Sequence, residues 1–116
     1  MKIILKKVNE ELKIIESEKR YATDAAREFF DPGTKLEKVK IDEYLYMYID
    51  AIGAIKDLDI NFYLETNSPY FPIQAIHGDA IFIKIKEYNI WEELWDYEVD
   101  NIENENIELI EEIIED

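Results

Sequence analysis

Cysteine is absent from the 116 residues, and histidine occurs once, at His77. The first absence excludes disulfides, thiolate zinc sites and a cysteine nucleophile, and the second leaves nothing from which to build a multi-histidine metal site. A Ser-His-Asp arrangement would have to join that one histidine to Ser17 or Ser68. Glycine and proline number three each, and no Gly/Ser linker or internal repeat divides the chain. No run approaches the roughly 18 consecutive apolar residues that a membrane-spanning helix needs. The start, MKIILKKVNEELK, has neither the apolar stretch nor the small-residue cleavage site of a secretory signal. The expectation is a soluble, cytoplasmic protein without cofactor or metal.

The last absence is positive charge at one end: residues 87–116 contain thirteen Asp and Glu and no Lys or Arg. Residues 1–40 carry ten bases against eight acids, and residues 41–116 carry three against twenty, so the formal net charge of −15 is strongly segregated. A surface of that sign repels phosphate backbones and anionic membranes, which argues against direct nucleic-acid or membrane binding and for a basic protein as partner.

What is present suffices for a core. Hydrophobic residues make up 47% of the chain and include fifteen aromatics, enough for one folded domain over 1–116. IILKKV and LKIIESE around NEE predict a hairpin. Thr23 and Asp24 are candidate caps for a short helix through AAREFF, which Asp31-Pro32-Gly33 stops. LEKVKIDEYLYMYID reads as a strand through Ile49, with Val39, Ile41, Leu45, Met47 and Ile49 on one face and Tyr44, Tyr46 and Tyr48 on the other; a helical register fits Ile41, Leu45, Tyr48, Ile52 and Ile55 less well because of Gly53. INFYLET alternates with Ile60, Phe62 and Leu64 inward. His77-Gly78-Asp79 predicts a turn, and AIFIKIK a strand with Ile81, Ile83 and Ile85 buried.

After a sheet-rich body over 1–86, the segment 87–116 admits three forms. Trp91, Trp95, Val99, Ile102, Leu109 and Ile113 recur at helical steps, as one long helix or as two broken near Asn101–Asn106. LWDYEVD also alternates, which allows a strand before a terminal helix through IELIEEIIE. The expected architecture is α+β: a small, mostly antiparallel sheet with packed helices and an acidic helical C-terminus.

On a helix, residues three or four apart stand about 5 to 6 Å apart at Cβ. Glu92, Asp96 and Asp100 would then form one carboxylate row, and Glu105, Glu108, Glu112 and Glu115 another, with Glu103 near the break. Such rows have a spacing similar to successive phosphates and can occupy a basic groove. Like charges at these steps destabilise a helix by about 0.2 to 0.5 kcal/mol per pair, more repulsion than solubility alone requires. Trp91 and Trp95, one turn apart beside the acids, are either core anchors or aromatic hot spots of the same interface. DNIENEN has the carboxylates of a calcium loop but lacks its glycine and closing spacing.

The order hairpin, short helix, strand, INFYLETN, proline-bearing loop and HGDAIFI resembles an uncharacterised domain family of phage and mobile-element proteins. The likeness runs over roughly residues 36–86, with Asn67 and Gly78-Asp79 at matching positions, and implies no catalytic residues. By size and charge the chain is also similar to small acidic phage inhibitors of restriction and CRISPR systems, the DNA-mimic type of anti-CRISPR and anti-restriction protein. That likeness implies a non-enzymatic inhibitor that occludes a basic nucleic-acid-binding effector or nuclease. An immunity protein against a nuclease toxin, or an adaptor or homo-oligomeric subunit with a solvated acidic face, fits the same composition.

Overall fold

The structure, a computed structural model, describes residues 1–86 and 96–115. It is α+β, with eight strands and two helices among those residues and every strand pairing antiparallel. Strands β1 (Lys2–Lys6) and β2 (Lys13–Glu16) form the expected hairpin, with Asn9 in the left-handed region at φ 60° in the loop between them. Helix α1 (Ala22–Arg27) follows, then β3 (Leu36–Asp42), β4 (Leu45–Asp50), β5 (Ile60–Glu65), β6 (Ile73–His77), β7 (Ala80–Ile85), β8 (Val99–Asp100) and helix α2 (Asn104–Glu115).

The main sheet runs in the order β2-β1-β7-β4-β3. β7 is its centre: β4 pairs along one edge, while the other is shared by β1, opposite residues 80–82, and β8, opposite residues 84–85. Ile81, Ile83 and Ile85 are fully buried on one face and Ala80 and Phe82 on the other, as a strand covered on both sides requires. β5 and β6 form a separate two-stranded sheet.

One expectation is corrected here: the single strand read through Ile49 is a hairpin, turning at Glu43–Tyr44 between β3 and β4. Two-residue hairpin loops normally announce themselves by glycine or asparagine at positive φ. Neither Glu43 nor Tyr44 has positive φ, and a register shift between Lys40 and Asp42 absorbs the mismatch as a bulge. The facial assignment survives because the hairpin folds parity onto itself. Val39 pairs with Met47, and Val39, Ile41, Leu45, Met47 and Ile49 all join one core. Tyr46 and Tyr48 are buried on the opposite face, whereas Tyr44 is an exposed turn residue.

The two faces of the sheet carry two cores. On one, Ile3, Leu5, Tyr46, Tyr48 and the β7 isoleucines meet Ala22, Ala25 and Ala26 of α1, together with Tyr97 and Val99. Small side chains let α1 sit close to the strands. On the other, Ile4, Met47, Ile49 and Phe82 meet Phe62, Leu64 and Ile76 of the small sheet and Ile110 of α2. The C-terminal segment thus contributes to both cores. No helix of the described residues is long and apolar enough to cross a membrane.

Candidate protein-interaction surface

Among the three forms open to the C-terminal segment, the described residues adopt a strand followed by a helix. Asp96 and Asp100 are therefore not helical, and the row Glu92–Asp96–Asp100 is not formed: Asp100 lies in β8, Asp96 precedes it, and Glu92, like Trp91 and Trp95, lies outside the described residues.

The acids from 96 to 103 are occupied. α1 begins after Tyr21, which supplies no side-chain cap, and neither Thr23 nor Asp24 fills the role expected of them. Asp96 does, from 73 residues away: its carboxylate accepts the Thr23 N–H at 3.3 Å and the Thr23 hydroxyl at 3.2 Å, and its Oδ1 also takes the Tyr97 N–H at 2.8 Å. The Tyr97 carbonyl accepts the Ala22 N–H at 2.8 Å. A carboxylate at a helix N-terminus satisfies orphan donors and meets the positive end of the helix dipole. Glu98 accepts a 2.7 Å hydrogen bond from Arg20 Nε and has Lys86 Nζ at 3.8 Å. The Arg20 hydrogen bond, with the Arg20 and Lys86 charges, lowers the Glu98 carboxyl from its ordinary value against an opposing effect of burial. Asp100 accepts the Asn101 N–H at 2.8 Å, and Glu103 has Lys84 at 3.7 Å.

α2 is different. Asn106 reaches back to the Glu103 N–H at 2.9 Å, the returning half of a capping box. Ile107, Ile110, Ile113 and Ile114 turn to the core, and Glu105, Glu108, Glu111 and Glu112 are exposed. Glu115 closes the helix. The row Glu105–Glu108–Glu112–Glu115 thus stands on one continuous helix, as predicted. None of Glu105, Glu108, Glu111 and Glu112 has an ion pair among the described residues, and the last turn contains no base.

A second feature adjoins this helix and was not legible in the sequence. Eight of the twelve large hydrophobic side chains exposed among the described residues fall between Ile52 and Ile73, so exposure is concentrated rather than scattered. In the small sheet Phe62 pairs with Ile76 and faces the core, which leaves Tyr63, Glu65, Ile73 and Ala75 on the outer face. The loop 66–72 then carries Tyr70 and Phe71 at 84% and 75% exposure. This loop is internally stitched: Thr66 N–H donates to the Pro72 carbonyl, the Thr66 hydroxyl to the Phe71 carbonyl, and the Ser68 hydroxyl accepts the N–H groups of Tyr70 and Phe71. Its backbone needs are met locally while its aromatics point away from the core. A groove of about 580 Å³ between β3, β5 and α2 is lined by Tyr63, Glu65, Thr66 and Glu112, and so joins the base of the loop to the carboxylate face.

Four further titratable groups, Lys6, Asp50, His77 and Asp79, serve structure. Lys6, 7% exposed, donates to Asn61 Oδ1 at 2.9 Å and to the Lys7 carbonyl, and Asn61 returns a hydrogen bond to the Lys6 carbonyl, tying the two sheets together. Burial lowers the Lys6 pKa, partly opposed by Asp79 and Glu10. Burial raises the Asp50 carboxyl, but hydrogen bonds from Lys56 and the Ile52 N–H, with the Lys56 charge, leave it below the ordinary range. His77 Nδ1 lies 2.8 Å from the Leu58 carbonyl, and Gly78 takes φ +84° in the turn before β7, where a Cβ would stand 2.9 Å from Leu58. Asp79 accepts the Val8 N–H at 3.0 Å.

Comparison of the chain with protein-family models, with curated proteins and with solved structures returned no match.

Proposed function

We propose that this chain is a non-catalytic, cytoplasmic inhibitor of the anti-defence type. It binds a basic protein that handles nucleic acid, an effector or a nuclease, and occludes its charged groove with the carboxylates of α2. One observation carries the reading: Glu105, Glu108 and Glu112 are exposed and without ion pairs among the described residues, while every acid from 96 to 103 has a partner. Like charges three and four residues apart weaken a helix, and stability given up on a surface row is commonly recovered in binding. The same charge disfavours DNA and RNA as direct ligands.

Affinity capture followed by mass spectrometry identifies the partner, and the purified pair then tests the charge. Replacing Glu105, Glu108, Glu112 and Glu115 with glutamine lowers affinity chiefly through the association rate. The loss shrinks as salt rises, because screening acts over about 10 Å at 0.1 M. Glutamine at Glu10, Glu11, Glu16 and Glu18 has the smaller effect, since Glu10 is already paired with Lys13 and Glu16 with the N-terminal ammonium. Equal binding by both variants and the parent at low salt rejects the reading.

A further inference from the structure

The outer face of the β5–β6 sheet and the loop beyond it bear no structural duty that accounts for their composition. A loop whose amides and carbonyls are tied by Thr66 and Ser68 could carry polar side chains at its tip with the same backbone. Instead it carries Tyr70 and Phe71, continuous in sequence with Ile73, itself 60% exposed on the outer face of β6. Tyr63 stands on the same outer face, half exposed. Aromatics on a backbone fixed by its own hydrogen bonds lose little conformational freedom on binding, which is the property of interface anchors.

We infer that this face is the anchoring half of the interface, and that its occupant is a protein surface with an apolar depression rimmed by lysine or arginine. The inference rests on the reading that α2 meets a basic partner, and it adds where that partner is held. Charge selects among the occupants. Glu65 lies on the outer face opposite Ile73, and Glu112 borders the groove at the foot of the loop, where Lys40 is the one base among the lining residues, so a surface covering the aromatics is brought against a net negative rim. A second copy of this chain, of net charge −15, would set like charges against one another, and an anionic lipid surface or a nucleic acid would do the same. A basic rim compensates them. The carboxylates then steer the encounter and the aromatics set the dissociation rate.

Two short peptides of equal length and equal positive charge test this on the intact chain, one interleaving arginine with leucine and tryptophan, the other arginine with glutamine. The first binds about tenfold or more tightly than the second, the scale of one hot spot. Tyr70→Ser with Phe71→Ser removes that difference without moving the unfolding midpoint, since both side chains are exposed; the four α2 glutamines weaken both peptides by a common factor. Equal affinity for the two peptides, with the α2 dependence intact, overturns the anchor and leaves the charge reading standing. Failure of both peptides to bind removes both readings. Self-association in raised salt that the Tyr70/Phe71 variant abolishes assigns the face to a second copy and overturns the inference.

Discussion

Residues 96–103 and α2 are neighbours in sequence and alike in charge, yet their carboxylates are used in different ways. Asp96 caps a helix laid down 73 residues earlier, Glu98 engages Arg20 and Lys86, and Glu103 lies by Lys84. Glu105, Glu108, Glu111 and Glu112 face outward without an ion pair among the described residues, and the helix's last turn holds no base. The first stretch spends its charge inside the molecule. The second keeps it available. Negative charge in a sequence is therefore a poor measure of negative charge on offer to a partner, because an acid such as Glu98 is paired with Arg20 and Lys86, one of them distant along the chain.

The comparison can be broken most severely at Tyr97. Its ring is 1% exposed, stacks on Tyr46 at 5.4 Å between centroids and has Lys38 Nζ 4.3 Å from its centroid. Tyr97→Ala should cost about 3 to 5 kcal/mol in urea unfolding, the range for large aromatic truncations. An effect below about 1 kcal/mol would show that the first stretch is not anchored as described. Asp96→Ala removes the remote cap and should cost about 1 kcal/mol, within the usual range for a lost N-cap. Asp96→Asn, which keeps an acceptor, should cost less, and an equal loss for the two would point away from capping.

Acid tests the first stretch directly. The Glu98 carboxyl is held low by Arg20, so its contribution is complete above the unfolded-state pKa and disappears as pH falls through the lower folded value; Asp50, held low by Lys56, acts in the same direction. Stability should therefore decline as pH drops through and below the ordinary carboxylate range, and Glu98→Gln should flatten that decline. A parallel acid limb in the variant would remove Glu98 from the account.

The smallest effect belongs to α2. Glutamine at Glu105, Glu108, Glu112 and Glu115 should leave the midpoint unchanged or raise stability by a few tenths of a kcal/mol per relieved pair, and the gain should fade with salt. Destabilisation by more than about 1 kcal/mol would mean that these carboxylates are engaged within the fold after all.

Several elements are written locally and could be read locally. The alternation of AIFIKIK and INFYLET, the β1–β2 hairpin around NEE and the apolar spacing of IELIEEIIE each follow from side-chain direction along a strand or a helix, and each element formed. Val99 and Ile102 also sit at helical spacing with Leu109 and Ile113, but they are buried in a strand and just beyond it, because period alone does not register a partner edge on β7. The hairpin turn at Glu43–Tyr44 carries no local signal, because a bulge between Lys40 and Asp42 stands in for the glycine that marks most such turns.

By itself, then, the sequence determined the charge, the strand and helix periods and the face that the apolar side chains of β4 and β7 prefer, since these depend on residues within a turn or two of one another; Ile60, expected inward, is exposed where the β5–β6 register shifts. Tertiary structure alone decided which carboxylates are neutralised and which aromatics stay outside. Asp96 meets Thr23, and Glu98 meets Arg20 across 78 residues, only because β8 is laid along β7 beside the start of α1. Tyr70 and Phe71 are outside because the small sheet turns Phe62 and Ile76 inward and closes its loop upon itself. Pairings over such separations depend on how whole elements pack, and no local pattern of residue types encodes them.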